Sequence, residues 1–156
     1  MTAFEFPIRI YWEDTDAGGI VFYANYLKYF ERARTEWLRA LGIGQWVLRE
    51  QAGGMFVVAD AALKYHRPAR LDDELLVTAS LQTSGRTALV VAQQARLKVS
   101  VAADSSAYPS QAHGAEPVCA HPGTLLCEGS IRIGWVEADS MKPARIPSAI
   151  LEKLNS

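Results

Sequence analysis

The sequence is short of most features that would assign a function on their own. It has two cysteines, Cys119 and Cys127, in 156 residues. Two thiols build neither a disulfide framework nor a four-thiolate zinc site. It has almost no net charge, since 16 Lys and Arg against 17 Asp and Glu leave −1. A near-neutral chain has no electrostatic reason to seek nucleic acid or an anionic membrane surface. Long apolar runs are missing as well, and nothing reaches the roughly 18 uncharged residues that a membrane helix needs. Met1 to Ile10 carry Glu5, Pro7 and Arg9 in place of an unbroken apolar stretch, so no secretory peptide is read there. A soluble, cytoplasmic protein with no transmembrane segment is expected. The three histidines, His66, His113 and His121, show no metal-ligand spacing, and no Ser-His-Asp arrangement can be argued.

What is present reads as one globular domain over residues 1–156, long enough to bury a core. Phe4 to Tyr11 alternates with period two, so it is a strand. Pro7 removes a donor and puts that strand on an edge, or makes it start late. Trp12 to Gly19 is a polar, glycine-bearing loop. Ala24 to Leu41 is a helix, with Tyr26, Leu27, Phe30, Ala33, Trp37, Leu38 and Leu41 at helical spacing. Glu31, Arg32, Arg34, Glu36 and Arg39 fall mostly on its other side, and Gly42 suits a left-handed cap. Gly44 to Glu50 adds a short helical turn, and Pro147 to Leu154 a second helix.

Four more strands are expected, over Met55 to Tyr65, Leu75 to Leu81, Thr87 to Val101 and Leu125 to Trp135. In the first of these Val57, Ala59, Ala61, Leu63 and Tyr65 share a face. Ala88 to Ala92 is apolar on both faces, which calls for a second cover and predicts a subunit contact. Ala102 to Gly123, rich in Ala, Ser, Pro and Gly, reads as a long mobile loop. One long helix with an antiparallel five-stranded sheet is an α+β fold.

Chemistry concentrates between Tyr11 and Tyr26. Asp14 and Asp16 sit on the loop before the long helix, and Gly18 and Gly19 let a ligand approach the backbone. The helix start offers free amides and a positive dipole end. A carboxylate beside such donors suits a base or nucleophile next to an oxyanion site. Aspartates before helices also serve as caps or turn formers, and spacing does not separate the two readings. The pattern is no calcium loop: Gly18 replaces a ligand, and Asn25 stands where a Glu is needed.

The same segment resembles the hotdog-fold acyl-CoA thioesterases of the 4-hydroxybenzoyl-CoA thioesterase type, and within them the branch associated with the bacterial Tol–Pal system. The resemblance lies in Tyr-x-Glu-Asp-Thr-Asp-Ala-Gly-Gly-Ile-Val-Phe-Tyr (Tyr11 to Tyr23) and continues through Asn25 to Leu38. Further blocks are Pro68 to Leu75, Gly85 to Thr87 and Met141 to Pro147. It implies an antiparallel sheet wrapped around one long helix, and hydrolysis of acyl-CoA to free acid and CoA. It also implies that Asp16 is the general base or nucleophile and that the Tyr23 backbone amide polarises the thioester carbonyl. Aspartate carboxylates are ionised at neutral pH, as that role requires. Asp14 is then a structural partner that shapes the loop.

Many members of that branch carry His where this chain has Tyr23, and Tyr where it has Trp12. The amide role survives the first change, but a side-chain acid–base role does not, because a tyrosine is a poor base at neutral pH. Arg86, by family position, is the candidate for the coenzyme A phosphates, acting across a subunit interface; a solvated turn arginine is the other reading. Glu31 reads either as a second catalytic carboxylate or as a surface ion pair with Arg32 or Arg34. The tryptophans read as core, except that Trp12 adjoins the loop. No metal or redox cofactor is called for, coenzyme A being part of the substrate. A homodimer or homotetramer is implied. The rival readings are a thioesterase acting on acyl-carrier protein, and a cell-envelope scaffold protein with vestigial activity.

Overall fold

The computed structural model describes residues 3–99 and 122–156. The elements in chain order are β1 (Phe4–Arg9), α1 (Asn25–Ala40), α2 (Gln45–Ala52), β2 (Gly54–Tyr65), β3 (Glu74–Ser84), β4 (Ala88–Val99), β5 (Leu125–Glu137) and α3 (Ser148–Asn155). All but the last two residues of the loop expected over Ala102 to Gly123 lie outside the described residues. The five strands form one sheet in the order β1-β3-β4-β5-β2, and every neighbour is antiparallel. Pro7 lies in β1, at the sheet edge, where its missing N–H costs no ladder bond with a second neighbour.

One face of the sheet closes over α1. Tyr29, Phe30, Ala33 and Leu38 meet Leu75, Val77, Leu89, Val91 and Ile131 in a single buried cluster. Each Phe, Leu, Val or Ile side chain among them contributes roughly 1.5–3 kcal/mol by leaving water. Gly129 of β5 makes the close approach possible, since a Cβ there would stand 2.9 Å from Phe30 Cε2. The helix ends as expected at Gly42, whose φ is +80°. Gly42 N–H donates to Arg39 O, and Ile43 N–H to Leu38 O, the paired bonds of a Schellman cap.

Four expectations change. Arg34 does not share the solvent face of α1: it is buried, with its Nη1 donating to the buried Gln93 Oε1 at 2.9 Å. Leu27, expected on the apolar face, is exposed. In β2 the single inward face from Val57 to Tyr65 fails. Phe56 and Leu63 both pack on the core although seven positions apart, because a bulge between Val58 and Asp60 shifts the phase. Trp37 and Trp135 are core, whereas Trp46 and Trp12 are exposed. Ala88, Val90 and Ala92 are half-buried on the outer face of β4. Among the described residues no helix is long and apolar enough to cross a membrane.

Candidate active site

The loop leaves β1 tied to the sheet. Ile10 N–H donates to Asp73 O, and Ile10 O accepts from Asp72 N–H. One short helical turn, Trp12–Asp14, follows. Asp14 organises what comes next: its Oδ2 accepts Tyr11 N–H at 2.8 Å. Its carbonyl accepts Phe22 N–H at 3.0 Å and Asn25 Nδ2 at 2.8 Å. The chain then folds back on itself, with Thr15 bridging Val21 and Asp16 N–H donating to Ile20 O at 2.9 Å. Gly19 takes the turn at φ +77°, a left-handed conformation that favours glycine.

Asp16 is exposed at the tip of this hairpin. One carboxylate oxygen, Oδ1, accepts Gly18 N–H at 2.8 Å. A Cβ on Gly18 would stand 3.2 Å from that oxygen, so glycine keeps the approach open. Oδ2 accepts from no protein donor among the described residues. Both aspartates are thus turn formers, and neither caps α1, whose N-cap Ala24 has no side-chain bond. Across the hairpin from Asp16 stands the helix entry. There Phe22 N–H is taken by Asp14 and Asn25 N–H by Phe22 O. The Tyr23 N–H donates to no group among the described residues. A carboxylate with a free oxygen and an amide with a free proton therefore sit on the two arms of one turn.

Residues 65–70 form the opposite wall. Tyr65 Oη–H donates to Tyr23 O at 2.9 Å, Val21 N–H to Ala69 O at 2.9 Å and Ala69 N–H to Tyr26 Oη at 3.3 Å. Ile20 bridges Arg70. Between the walls lies a cleft of about 270 Å³ lined by Ile20, Val21, Tyr23, Tyr26, Tyr65 and Pro68. Burial pushes the Tyr26 phenol up to about 12, which keeps it neutral. Trp12 (79% exposed) and Tyr23 (63%) leave large apolar surface beside Asp16, as a surface awaiting a ligand or a second chain does.

Arg86 is not brought to Asp16 within one chain. It lies in the turn after β3, whereas the Asp16 loop leaves the sheet at the other end of that strand, beside Glu74. Eleven residues of β3 separate the two ends, about 35 Å at the usual rise. Glu31 is exposed and makes no ion pair with Arg32 or Arg34 among the described residues. His66 lies 3.6 Å from Glu128, and His113 and His121 fall outside the described residues. Sequence reasoning missed Tyr65, whose hydroxyl reaches Tyr23, and Tyr29, whose fully buried hydroxyl lies beside the Asp14 carboxylate without hydrogen-bond geometry. Tyr65 stands three residues before the block beginning at Pro68, which was its available signal.

With this geometry in hand, the family can be assigned. The sequence model of the thioesterase superfamily matches residues 18–101, more than half of the chain. The chain belongs to the thioesterase superfamily. Tyr23, Tyr65 and Arg86 fall inside the matched stretch, and Asp16 lies two residues before it. The chain is 35% identical over 150 residues to the acyl-CoA thioester hydrolase YbgC of Escherichia coli O6:H1, covering 96% of this chain and 94% of that one. It is 33% identical over 147 residues to the acyl-CoA thioesterase YbgC of Haemophilus influenzae, covering 94% and 90%. Among solved structures it resembles the 1,4-dihydroxy-2-naphthoyl-CoA thioesterase from Synechocystis, with TM-score 0.77 and 15% identity over 99% and 97% of the two chains. It also resembles a gentisyl-coenzyme A thioesterase, with TM-score 0.74 and 19% identity over 96% and 98%. These structural likenesses establish the hotdog fold for this thioesterase superfamily member.

Proposed function

We propose that the chain hydrolyses acyl-CoA thioesters, giving the free carboxylic acid and CoA, with Asp16 and the Tyr23 amide as its chemical groups. The observation that carries the reading is that both have unspent hydrogen-bonding capacity on facing arms of one turn. As general base, Asp16 takes a proton from water while the water oxygen bonds to the thioester carbon. The carbonyl electrons move onto oxygen, which the Tyr23 N–H stabilises; one such donor is worth about 3 kcal/mol of barrier. The intermediate collapses, the C–S bond breaks, and the CoA thiolate takes the proton from Asp16. As nucleophile, Asp16 instead bonds to the carbon, expels the thiolate and leaves an anhydride that water cleaves. The apolar cleft beside Tyr23 suits the acyl group.

A homo-oligomer is part of the reading. Arg86 reaches coenzyme A phosphates bound at Asp16 only when it comes from a second copy, given the length of β3. The outer edge of β2 has no strand partner in the sheet order, and Val58 on it is 52% exposed, an edge that a second copy would cover.

Free-thiol release from short, long and aromatic acyl-CoAs tests the proposal. One class turns over, and Asp16→Asn lowers kcat roughly 100- to 10,000-fold while the melting temperature holds. Turnover only of acyl groups on a carrier protein, or an Asp16→Asn variant as fast as the parent, overturns it.

A further inference from the structure

Tyr65 closes β2, and the scheme above gives it no task. Its hydroxyl donates to Tyr23 O at 2.9 Å across 42 residues of chain. Its ring stands edge-on to Tyr23, centroids 6.1 Å apart at 84°, and to Tyr26, 5.6 Å apart at 69°. The Tyr23 carbonyl needs this donor. Tyr23 stands one residue before the N-cap Ala24, so the helix offers its carbonyl no N–H, and Leu27 N–H donates to Ala24 O at 3.2 Å. The Tyr23 N–H lies in the planar Phe22–Tyr23 peptide, which Asn25 N–H holds through Phe22 O at 2.9 Å; the Tyr65 bond holds the next peptide, so both peptides flanking the Tyr23 Cα are pinned.

We propose that Tyr65 is a positioning residue for thioester hydrolysis, its hydroxyl holding the Tyr23 carbonyl so that the Tyr23 N–H stands open to the substrate oxygen. This rests on the reading of the Tyr23 amide as the oxyanion donor. Burial, with the neighbouring Cys127 and Tyr23, raises the Tyr65 pKa, so the hydroxyl remains a donor well above neutral pH. The anchor therefore comes from the sheet, and the rigid end of β2 sets the geometry of a loop that is otherwise exposed.

Tyr65→Phe keeps the ring contacts and removes only the hydroxyl. Loss of one neutral hydrogen bond, about 1 kcal/mol, predicts a fall in kcat of about fivefold, with KM within twofold and the melting temperature near the parent's. An unchanged kcat overturns the inference. So does a raised KM at constant kcat, which would make Tyr65 a binding contact of the cleft. Tyr23→Pro deletes the amide proton itself. On that background Tyr65→Phe costs less than twofold further, because the two act through one group; a full additional fivefold loss overturns the inference. The two readings fail separately. A Tyr23→Pro variant as fast as the parent removes the amide reading, and this inference with it. A crippled Tyr23→Pro beside a fully active Tyr65→Phe removes this inference alone. Should Tyr23→Pro not fold by circular dichroism, the kcat-against-KM split of Tyr65→Phe decides.

Discussion

The turn before α1 and the middle of α1 each set polar groups beside the sheet, and they use them in opposite ways. In the middle of the helix, Arg34 donates to Gln93 Oε1, and Gln93 Nε2 donates to Phe30 O at 2.9 Å and Thr78 O at 3.2 Å. Gln93 is 1% exposed, and every side-chain bond it makes is internal. In the turn, Asp16 keeps one carboxylate oxygen and Tyr23 keeps its N–H. Buried polar groups are satisfied because leaving them bare costs about 1–3 kcal/mol. Capacity left over at the surface is where a substrate can be held. The contrast separates structure from chemistry without appeal to residue type, since both regions carry charged groups.

The sharpest way to break this contrast is to remove one group from each region. Asp16→Asn gives the largest effect, the roughly 100- to 10,000-fold loss of kcat described above, at unchanged stability. Arg34→Ala gives the reverse. It leaves Gln93 Oε1 bare in the core and opens a cavity, costing about 2–4 kcal/mol of stability. Chemical denaturation reads that loss, and kcat per folded molecule remains within about threefold of the parent. Equal losses of stability from both variants would end the distinction.

A third prediction uses pH to probe the core side alone. Cys127 is fully buried, and burial, then the charge of Glu128, pushes its thiol up to about 12. In the unfolded chain a cysteine titrates near 8.5. Between about pH 9 and 12 the unfolded state sheds this proton while the native state keeps it. Stability therefore falls as pH rises, by about 1.4 kcal/mol per unit. Tyr26, raised from 10.0 to about 12, adds to the slope above pH 10. Urea unfolding at pH 8, 9 and 10 measures the slope, and Cys127→Ala flattens it between 9 and 10. An unchanged slope in the variant would remove Cys127 as the cause.

The sequence makes the strand order along the chain, the long helix and the aspartate loop legible because each depends on local period or turn chemistry. Arg34 is misplaced by polarity, since only the partner Gln93, 59 residues on, permits its burial. The β2 face is misread because one bulge reverses every later side chain. The positions of Tyr65 and Arg86 relative to Asp16 are not legible in the sequence for a shared reason. Their place relative to Asp16 is set by the sheet, which brings Tyr65 to Tyr23 and carries Arg86 to the far end of β3.

The smallest effect divides the two aspartates of the turn. Asp14 is half-buried and holds the Tyr11 N–H, while Asp16 is exposed. Asp14→Ala deletes that bond and leaves Tyr11 N–H to water, which at a turn costs about 1 kcal/mol. It also takes away the carboxylate that, after burial, pushes the Tyr29 hydroxyl pKa further up. The backbone carbonyl of residue 14 still accepts Phe22 N–H and Asn25 Nδ2, so the hairpin keeps its shape. A melting temperature lower by a few degrees and a kcat reduced no more than about tenfold are expected. An Asp14→Ala variant that melts like the parent yet is as slow as Asp16→Asn would exchange the roles of the two carboxylates. The unspent oxygen on Asp16 would then be a feature of the turn and not of the reaction.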